Sequence, residues 1–197
     1  MVAKKQPGPK VEPPTLAFAG AAELEAWVAD HRDDPVGLWL VIAKNGSDIE
    51  SVTYAEALQV ALCYGWIDGQ ARKGDDTSWL QRFCPRRPRS VWSKRNVGYV
   101  AALTEAGRMQ PEGIAEVERA KADGRRARAY DGPATATVPD DLRAAINAVP
   151  AAAHTFAGLS SSKRYAILHQ VQGAKRDETR QRRIAKFVEM LADGRKP

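Results

Sequence analysis

Trp66-Ile67-Asp68-Gly69-Gln70-Ala71-Arg72, Lys73-Gly74-Asp75-Asp76 and Thr77-Ser78-Trp79-Leu80-Gln81-Arg82-Phe83 follow one another without interruption, and this stretch decides the fold. Two β-prone, partly alternating runs flank a Gly/Asp turn, the pattern of a hairpin over 66–83. Upstream, Gly37 to Lys44 is a nearly continuous apolar run followed by Asn45-Gly46-Ser47, which predicts a strand covered on both faces. Between strand and hairpin, Thr53 stands three residues before Glu56 as a capping box. Leu58, Ala61 and Leu62 form the apolar stripe of a helix over 53–64 that Gly65 ends. These pieces make a small, mainly antiparallel sheet, strand 37–44 plus hairpin 66–83, packed with helices.

Working outward, Leu24, Trp27 and Val28 space a short helix from Ala21 to Asp30 that breaks at Asp33-Asp34-Pro35. Pro85 and Pro88 stop the second hairpin strand. Ser90 or Ser93 then caps a helix whose Val97, Val100 and Leu103 turn inward before Gly107. Pro111 opens a helix over 111–123 with Ile114 and Val117 inward and Gly124 closing it. The C-terminal part reads as three helices, marked by Leu142, Ala145, Ile146 and Val149, by Ile167, Leu168 and Val171, and by Ile184, Phe187, Val188 and Leu191 before Gly194. The expected class is α+β, with a flexible tail over 1–14, a body over 15–130, a linker over 131–138 and an all-helical C-terminal subdomain over 139–197.

With 197 residues and 44% hydrophobic side chains, the chain can bury a sizeable core. Two cysteines do not make a disulfide framework and point to a reducing compartment. The longest apolar run, Leu38 to Ala43, is far short of the roughly 20 residues of a membrane-spanning helix. The first residues lack the apolar core of a signal peptide, so the expected location is cytoplasmic.

The formal net charge is +6. Residues 1–14 carry +2, residues 139–197 carry +5, and residues 15–138 carry −1. Inside that near-neutral body, residues 72–95 hold eight basic against two acidic side chains, together with Trp79, Phe83 and Trp92. A cationic block interleaved with aromatics is suited to gripping phosphate or carboxylate groups. The plainer alternative is a solvated, salt-bridged face.

Trp66 and Asp68 share one strand face because strand residues two apart point the same way. They offer an aromatic wall beside an acceptor, or else Asp68 pairs with an arginine of the basic block and Trp66 is core. In the run Pro85 to Asn96 the prolines stiffen the backbone around Arg86, Arg87, Trp92, Lys94 and Asn96, which lowers the ordering cost of binding an anion. The alternative is that Ser90 and Ser93 cap, Trp92 packs and Asn96 bonds backbone. Glu178 and Arg182 are placed for an i,i+4 pair at the start of the last helix, after Lys175. Its arginines could meet a phosphate-rich polymer but lack aromatics for base stacking. His31, His154 and His169 lie in unrelated segments, so no metal or cofactor is expected. Cys63 reads as a core thiol, and Cys84, though beside arginines, has no sequence-near base. No phosphate-binding loop, dinucleotide fingerprint, nucleophile elbow or zinc-protease motif is present.

Ala61-Leu62-Cys63-Tyr64-Gly65-Trp66-Ile67-Asp68-Gly69, then Arg82-Phe83-Cys84-Pro85-Arg86-Arg87-Pro88 and Ser90-Val91-Trp92-Ser93-Lys94-Arg95-Asn96, resemble the bacteriocin-protection family, also labelled YdeI or OmpD-associated. Gly107-Arg108-Met109, Pro111-Glu112-Gly113, Ala120-Lys121, Asp123-Gly124, Val138-Pro139, Ala174-Lys175, Glu178-Thr179-Arg180 and Arg182-Arg183-Ile184 extend the resemblance over about 36–195. At Arg125-Arg126 the chain departs from the pattern, where an aromatic is expected after the glycine. The resemblance implies a role in tolerance of antimicrobial peptides or envelope stress. It assigns no reaction, so whether the protein is an enzyme stays open. The residues themselves favour binding of an anionic small molecule or protein partner by Trp66, Asp68, Arg86, Arg87, Trp92, Lys94 and Asn96. A small-metabolite enzyme using the same pocket, and nonspecific nucleic-acid binding through the basic C-terminal helices, are the alternatives.

Overall fold

The computed structural model describes residues 11–132, 135–174 and 176–197. The first ten residues of the expected tail, Pro133 and Ala134 of the expected linker, and Lys175 lie outside the described residues. The class is α+β: among the described residues there are four strands in one sheet and eight helices. They fall into two compact units, one running to Trp92 and resuming over Asn96–Ala129, the other comprising Ser93–Arg95 and Tyr130–Pro197.

In the first unit, β1 (Thr15–Leu16), β2 (Leu38–Ala43), β3 (Trp66–Lys73) and β4 (Ser78–Pro85) lie in the order β1-β2-β4-β3. β2 pairs antiparallel with β4, and β4 antiparallel with β3. Only β1 runs parallel to β2, and two residues without hydrophobic periodicity gave no sequence signal for it. The register sets Leu38 opposite Phe83, Leu40 opposite Gln81 and Ile42 opposite Trp79, so the alternation of β4 matches the apolar side of β2. A register shift interrupts β3 between Asp68 and Ala71. At the hairpin turn Asp75 Oδ1 accepts from the backbone and hydroxyl groups of both Thr77 and Ser78. These bonds, led by the Ser78 hydroxyl, hold the Asp75 carboxyl down at about 2.

Helix α1 (Ala21–Asp30) and helix α2 (Tyr54–Cys63) cover the apolar side, burying Leu24, Val28, Leu58 and Leu62 with Leu38 and Leu40. Each such side chain contributes about 1.5–3 kcal/mol on leaving water. The Thr53 and Glu56 side chains close a complete capping box on α2. The helix ends at Gly65, whose φ of +74° favours glycine and whose Cβ would meet the Glu112 carbonyl at 3.1 Å. That carbonyl belongs to α4 (Pro111–Ala122), which follows α3 (Lys94–Glu105). Helix α4 packs through Gly113, Glu116, Val117 and Ala120, and Ile114, expected inward, is 47% exposed. The reason is Gly113: a Cβ there would lie 2.1 Å from the Cys63 carbonyl, so the contact face is centred on the residue without a side chain and Ile114 is turned out.

The second unit holds α5 (Asp140–Asn147), α6 (Pro150–Ala157), α7 (Ser161–Gln172) and α8 (Asp177–Ala192) around Leu142, Ile146, Ile167, Leu168, Ile184, Phe187 and Leu191. Four helices stand where three were read. Helix α6, between the first and second helices read, gave no apolar stripe because its run of alanines buries only Ala152; Pro150 suits its first turn. The expected Glu178–Arg182 pair is absent among the described residues. Arg180 instead forms two bonds to Asp141, Nε to Oδ2 at 2.6 Å and Nη2 to Oδ1 at 2.8 Å, and a third to the Val171 carbonyl. The fork matches a carboxylate and the backbone at once, whereas a solvated surface pair gains little. No helix among the described residues is long and apolar enough to cross a membrane.

Candidate functional site

The basic block is dispersed by the fold. Arg72 lies over the Trp39 ring with its guanidinium carbon 4.0 Å from the centroid, and Arg82 stands 5.9 Å away. Arg82 also donates to the carbonyls of Leu38, Phe83 and Val36, so it ties the entry of β2 to β4. Burial pulls its pKa below the usual guanidinium value. Lys94 belongs to the second unit, where its ammonium bonds the Asp131 carboxylate at 2.8 Å and its backbone N–H donates to the Tyr130 carbonyl.

Arg86, Arg87, Trp66 and Trp92 gather around the segment 85–92 of the first unit. Trp66 pairs in register with Pro85, and the Arg86 backbone N–H donates to the Gly65 carbonyl. The Arg86 guanidinium lies 3.8 Å from the Trp92 ring centroid and donates to the Val91 carbonyl at 3.1 Å. A cation on an indole face, 7% exposed, is a desolvated contact worth about 1–2 kcal/mol. Ser90 does not cap α3; its hydroxyl accepts from the Arg87 N–H, and its N–H returns to the Arg87 carbonyl. This closed turn, with Pro88 inside it, holds Arg87 and Arg89 outward, both exposed and with no carboxylate partner among the described residues.

The other expected contacts are placed differently. Asp68 accepts from the Tyr54 hydroxyl at 2.7 Å, and among the described residues no ion pair joins it to an arginine. Trp66 is 1% exposed and meets Trp27 edge-on at 6.2 Å. Asn96 is buried on α3. Cys63 is buried, and burial pushes its thiol pKa up.

Two residues that sequence reasoning passed over complete the cluster. Glu116, 2% exposed, receives Arg125 Nη1 at 3.0 Å and also pairs with Arg119. The same Arg125 Nη1 donates to the Ser90 carbonyl at 3.0 Å, and its Nε bonds Asp123 at 2.6 Å. Burial works against the Arg125 charge, but the bonds to Asp123 and Glu116 outweigh it and raise the guanidinium pKa. Arg125 therefore fastens the 85–92 segment to α4. Asp123 is two residues away, but the partners that make the tie, Glu116 and Ser90, lie nine and 35 residues away across a helix end, so no local spacing announced it.

Within this cluster the indole Nε1 atoms of Trp66 and Trp92, and Nη2 of Arg125, are buried and have no hydrogen-bond partner among the described residues. An indole N–H only donates, so each of these atoms calls for an acceptor. Among the described residues no group of three or more His, Cys, Asp or Glu side chains is placed to hold a metal ion.

Comparison with curated proteins found no match, and comparison with solved structures found none. Two family models match. The one described as bacteriocin-protection, YdeI or OmpD-associated covers residues 135–194, the last part of the stretch over which that resemblance was read. The other covers residues 16–116, which is 101 of the 197 residues and takes in the sheet, α2 and the 85–92 segment. The chain accordingly belongs to the family described as domain of unknown function DUF8412, and its residues 135–194 are similar to the bacteriocin-protection, YdeI or OmpD-associated family.

Proposed function

We propose that the protein is a cytoplasmic binding protein of the bacteriocin-protection type that takes an anionic small molecule or an anionic group of a partner at the 85–92 segment, and in that way contributes to antimicrobial-peptide or envelope-stress tolerance. The observation that carries the reading is the set of three buried donors, Trp66 Nε1, Trp92 Nε1 and Arg125 Nη2, without partners among the described residues. A buried donor left unsatisfied costs about 1–3 kcal/mol, and native proteins retain few. Oxyanion oxygens are the acceptors that suit such a set. Arg87 and Arg89, held out on the adjoining turn, supply attraction at the rim. The gathered groups serve binding better than proton transfer, since the nearby Glu116 carboxylate is already engaged by Arg119 and Arg125. The rival for the same donors is bridging water, which also fits the buried Glu112 Oε2.

A thermal-shift titration with phosphate, sulfate and citrate at matched ionic strength separates the two. An anion that binds the native state stabilises it by about 2.7 kcal/mol at one hundred times its Kd. Trp92→Phe keeps an aromatic face under Arg86 but removes the N–H together with part of the indole ring, so it weakens that anion about tenfold at some cost in stability that the titration without anion measures. No stabilisation beyond that of chloride, or equal stabilisation of the variant, overturns the reading and leaves water at these donors.

A further inference from the structure

The open end of β2 carries a cleft of about 310 Å³ in the first unit. Ile42 forms its floor, and Tyr54 and Trp79 form its aromatic wall. We propose that this cleft is a binding site for a small aromatic acid, one or two fused rings carrying a single carboxylate, with the ring against Trp79 and the carboxylate on Lys44. It is independent of the 85–92 site.

The aromatic side of the argument is geometric. The Tyr54 and Trp79 rings stand 6.1 Å apart at 39°, and Phe83 continues the row beyond Tyr54 at 6.5 Å. At that spacing the two rings already touch, so no third ring enters between them. A ligand ring instead extends the row on the cleft side of Trp79. Tyr54 is held for this by its hydroxyl, which is donated to Asp68 at 2.7 Å.

The polar side follows from what each lining group has left to give. The Ser51 hydroxyl accepts from the Ala43 N–H and donates to the Val52 carbonyl. The Thr53 hydroxyl is committed to Glu56 in the capping box. Lys44 spends one ammonium N–H on the Asp75 carbonyl at 2.6 Å and keeps two. Lys73 stands directly opposite Trp79 in the β3–β4 register, which places it on the same sheet face. Three carboxylates of the first unit, Asp68, Glu56 and Asp75, are hydrogen-bonded to Tyr54, to Thr53, and to Thr77 and Ser78 respectively. A mainly apolar aromatic cleft whose uncommitted donors are the Lys44 ammonium and the Asn45 side-chain amide, with the Lys73 ammonium on the same sheet face, selects an anion with a planar apolar body. A volume near the lower end of ligand pockets limits that body to one or two rings.

Ligand-observed NMR and calorimetry on the full chain test this with indole-3-carboxylate, with cyclohexanecarboxylate as an acid without a ring face and with indole-3-methanol as a ring without charge. Indole-3-carboxylate binds with a Kd below about 1 mM, and each control at least about tenfold more weakly, a difference of about 1.4 kcal/mol. Lys44→Gln loses about tenfold. Lys73→Gln, an exposed change that leaves the strand pairing intact, loses about threefold. Arg87→Ala with Arg89→Ala changes nothing. The proposal falls if indole-3-carboxylate does not bind at millimolar concentration, if the cyclohexane acid binds as tightly, if neither lysine variant weakens binding, or if the arginine variant abolishes it.

Discussion

Replacing Gly113 by alanine tests the packing that carries the 85–92 cluster, and local propensity and tertiary contact give opposite signs for it. Gly113 is helical, so propensity alone makes Gly113→Ala stabilising by about 1 kcal/mol. In the folded protein the new methyl would stand 2.1 Å from the Cys63 carbonyl oxygen and 3.0 Å from Met109 Cε. Contacts under 3.0 Å are essentially never tolerated, so α4 and the end of α2 must part by about 1 Å. The obstacle is backbone, which cannot rotate away, and the movement also strains the Gln110 N–H bond to the Cys63 carbonyl, now 3.0 Å long. Overpacking costs about 1–3 kcal/mol and a weakened hydrogen bond about 1 kcal/mol, leaving a net loss of roughly 2 kcal/mol after the propensity gain. Urea unfolding followed by tryptophan fluorescence reads this in the right place, because Trp27, Trp39, Trp66, Trp79 and Trp92 all lie in the first unit. With a slope of about 2 kcal/mol per molar, the midpoint falls by about 1 M. Gly98→Ala is the matched control: nothing lies within 4 Å of its Cβ, so it raises the midpoint by up to about 0.5 M on the propensity gain. A midpoint for Gly113→Ala equal to or above that of the parent protein would refute the close approach of α4 to α2.

Two further outcomes follow from single side chains. Arg82→Lys replaces a fork that serves three carbonyls with a point charge that serves one, so the first unit loses about 2 kcal/mol in the same urea assay; a loss below about 0.5 kcal/mol would remove Arg82 as the tie between β2 and β4. Asp141 is held below the ordinary carboxylate range, first by the Arg180 side chain. A depressed folded pKa gives stability that is present above the unfolded value and is lost as pH falls through the folded one, so far-UV circular dichroism should show the second unit weakening below about pH 4. Arg180→Gln removes that contribution. The gap between the two proteins' thermal midpoints is therefore widest near neutral pH and closes on acidification, and a gap independent of pH would contradict the pairing.

The candidate site was legible in part. The stretch 85–92 stood out because prolines, arginines and a tryptophan occur together, and the fold does bring Arg86 onto Trp92 there. The roles within the stretch were not legible. Arg86 and Arg87 are adjacent and chemically identical, yet one is buried on an indole and the other faces water, because Arg86 continues the end of β4 through its bond to Gly65 while Arg87 opens the 87–90 turn. Arg125 was marked only as a departure from the family pattern, and its tie to Glu116 and Ser90 was not legible, since those bonds span a helix terminus and a distant loop.

By itself the sequence determined the class and most of the secondary structure, with β1 and α6 the exceptions. Capping at Thr53, the apolar run of β2, the Gly/Asp turn of the hairpin and the helical spacing after residue 139 are local signals, and each acts on the few residues around it. What only the tertiary structure decided is where the charge goes. Eight cations in residues 72–95 make one block along the chain. Successive strand residues point to opposite faces, and turns send neighbours in opposite directions, so the fold distributes the block among the Trp39 face, the Trp92 face, the Asp131 carboxylate and an exposed turn.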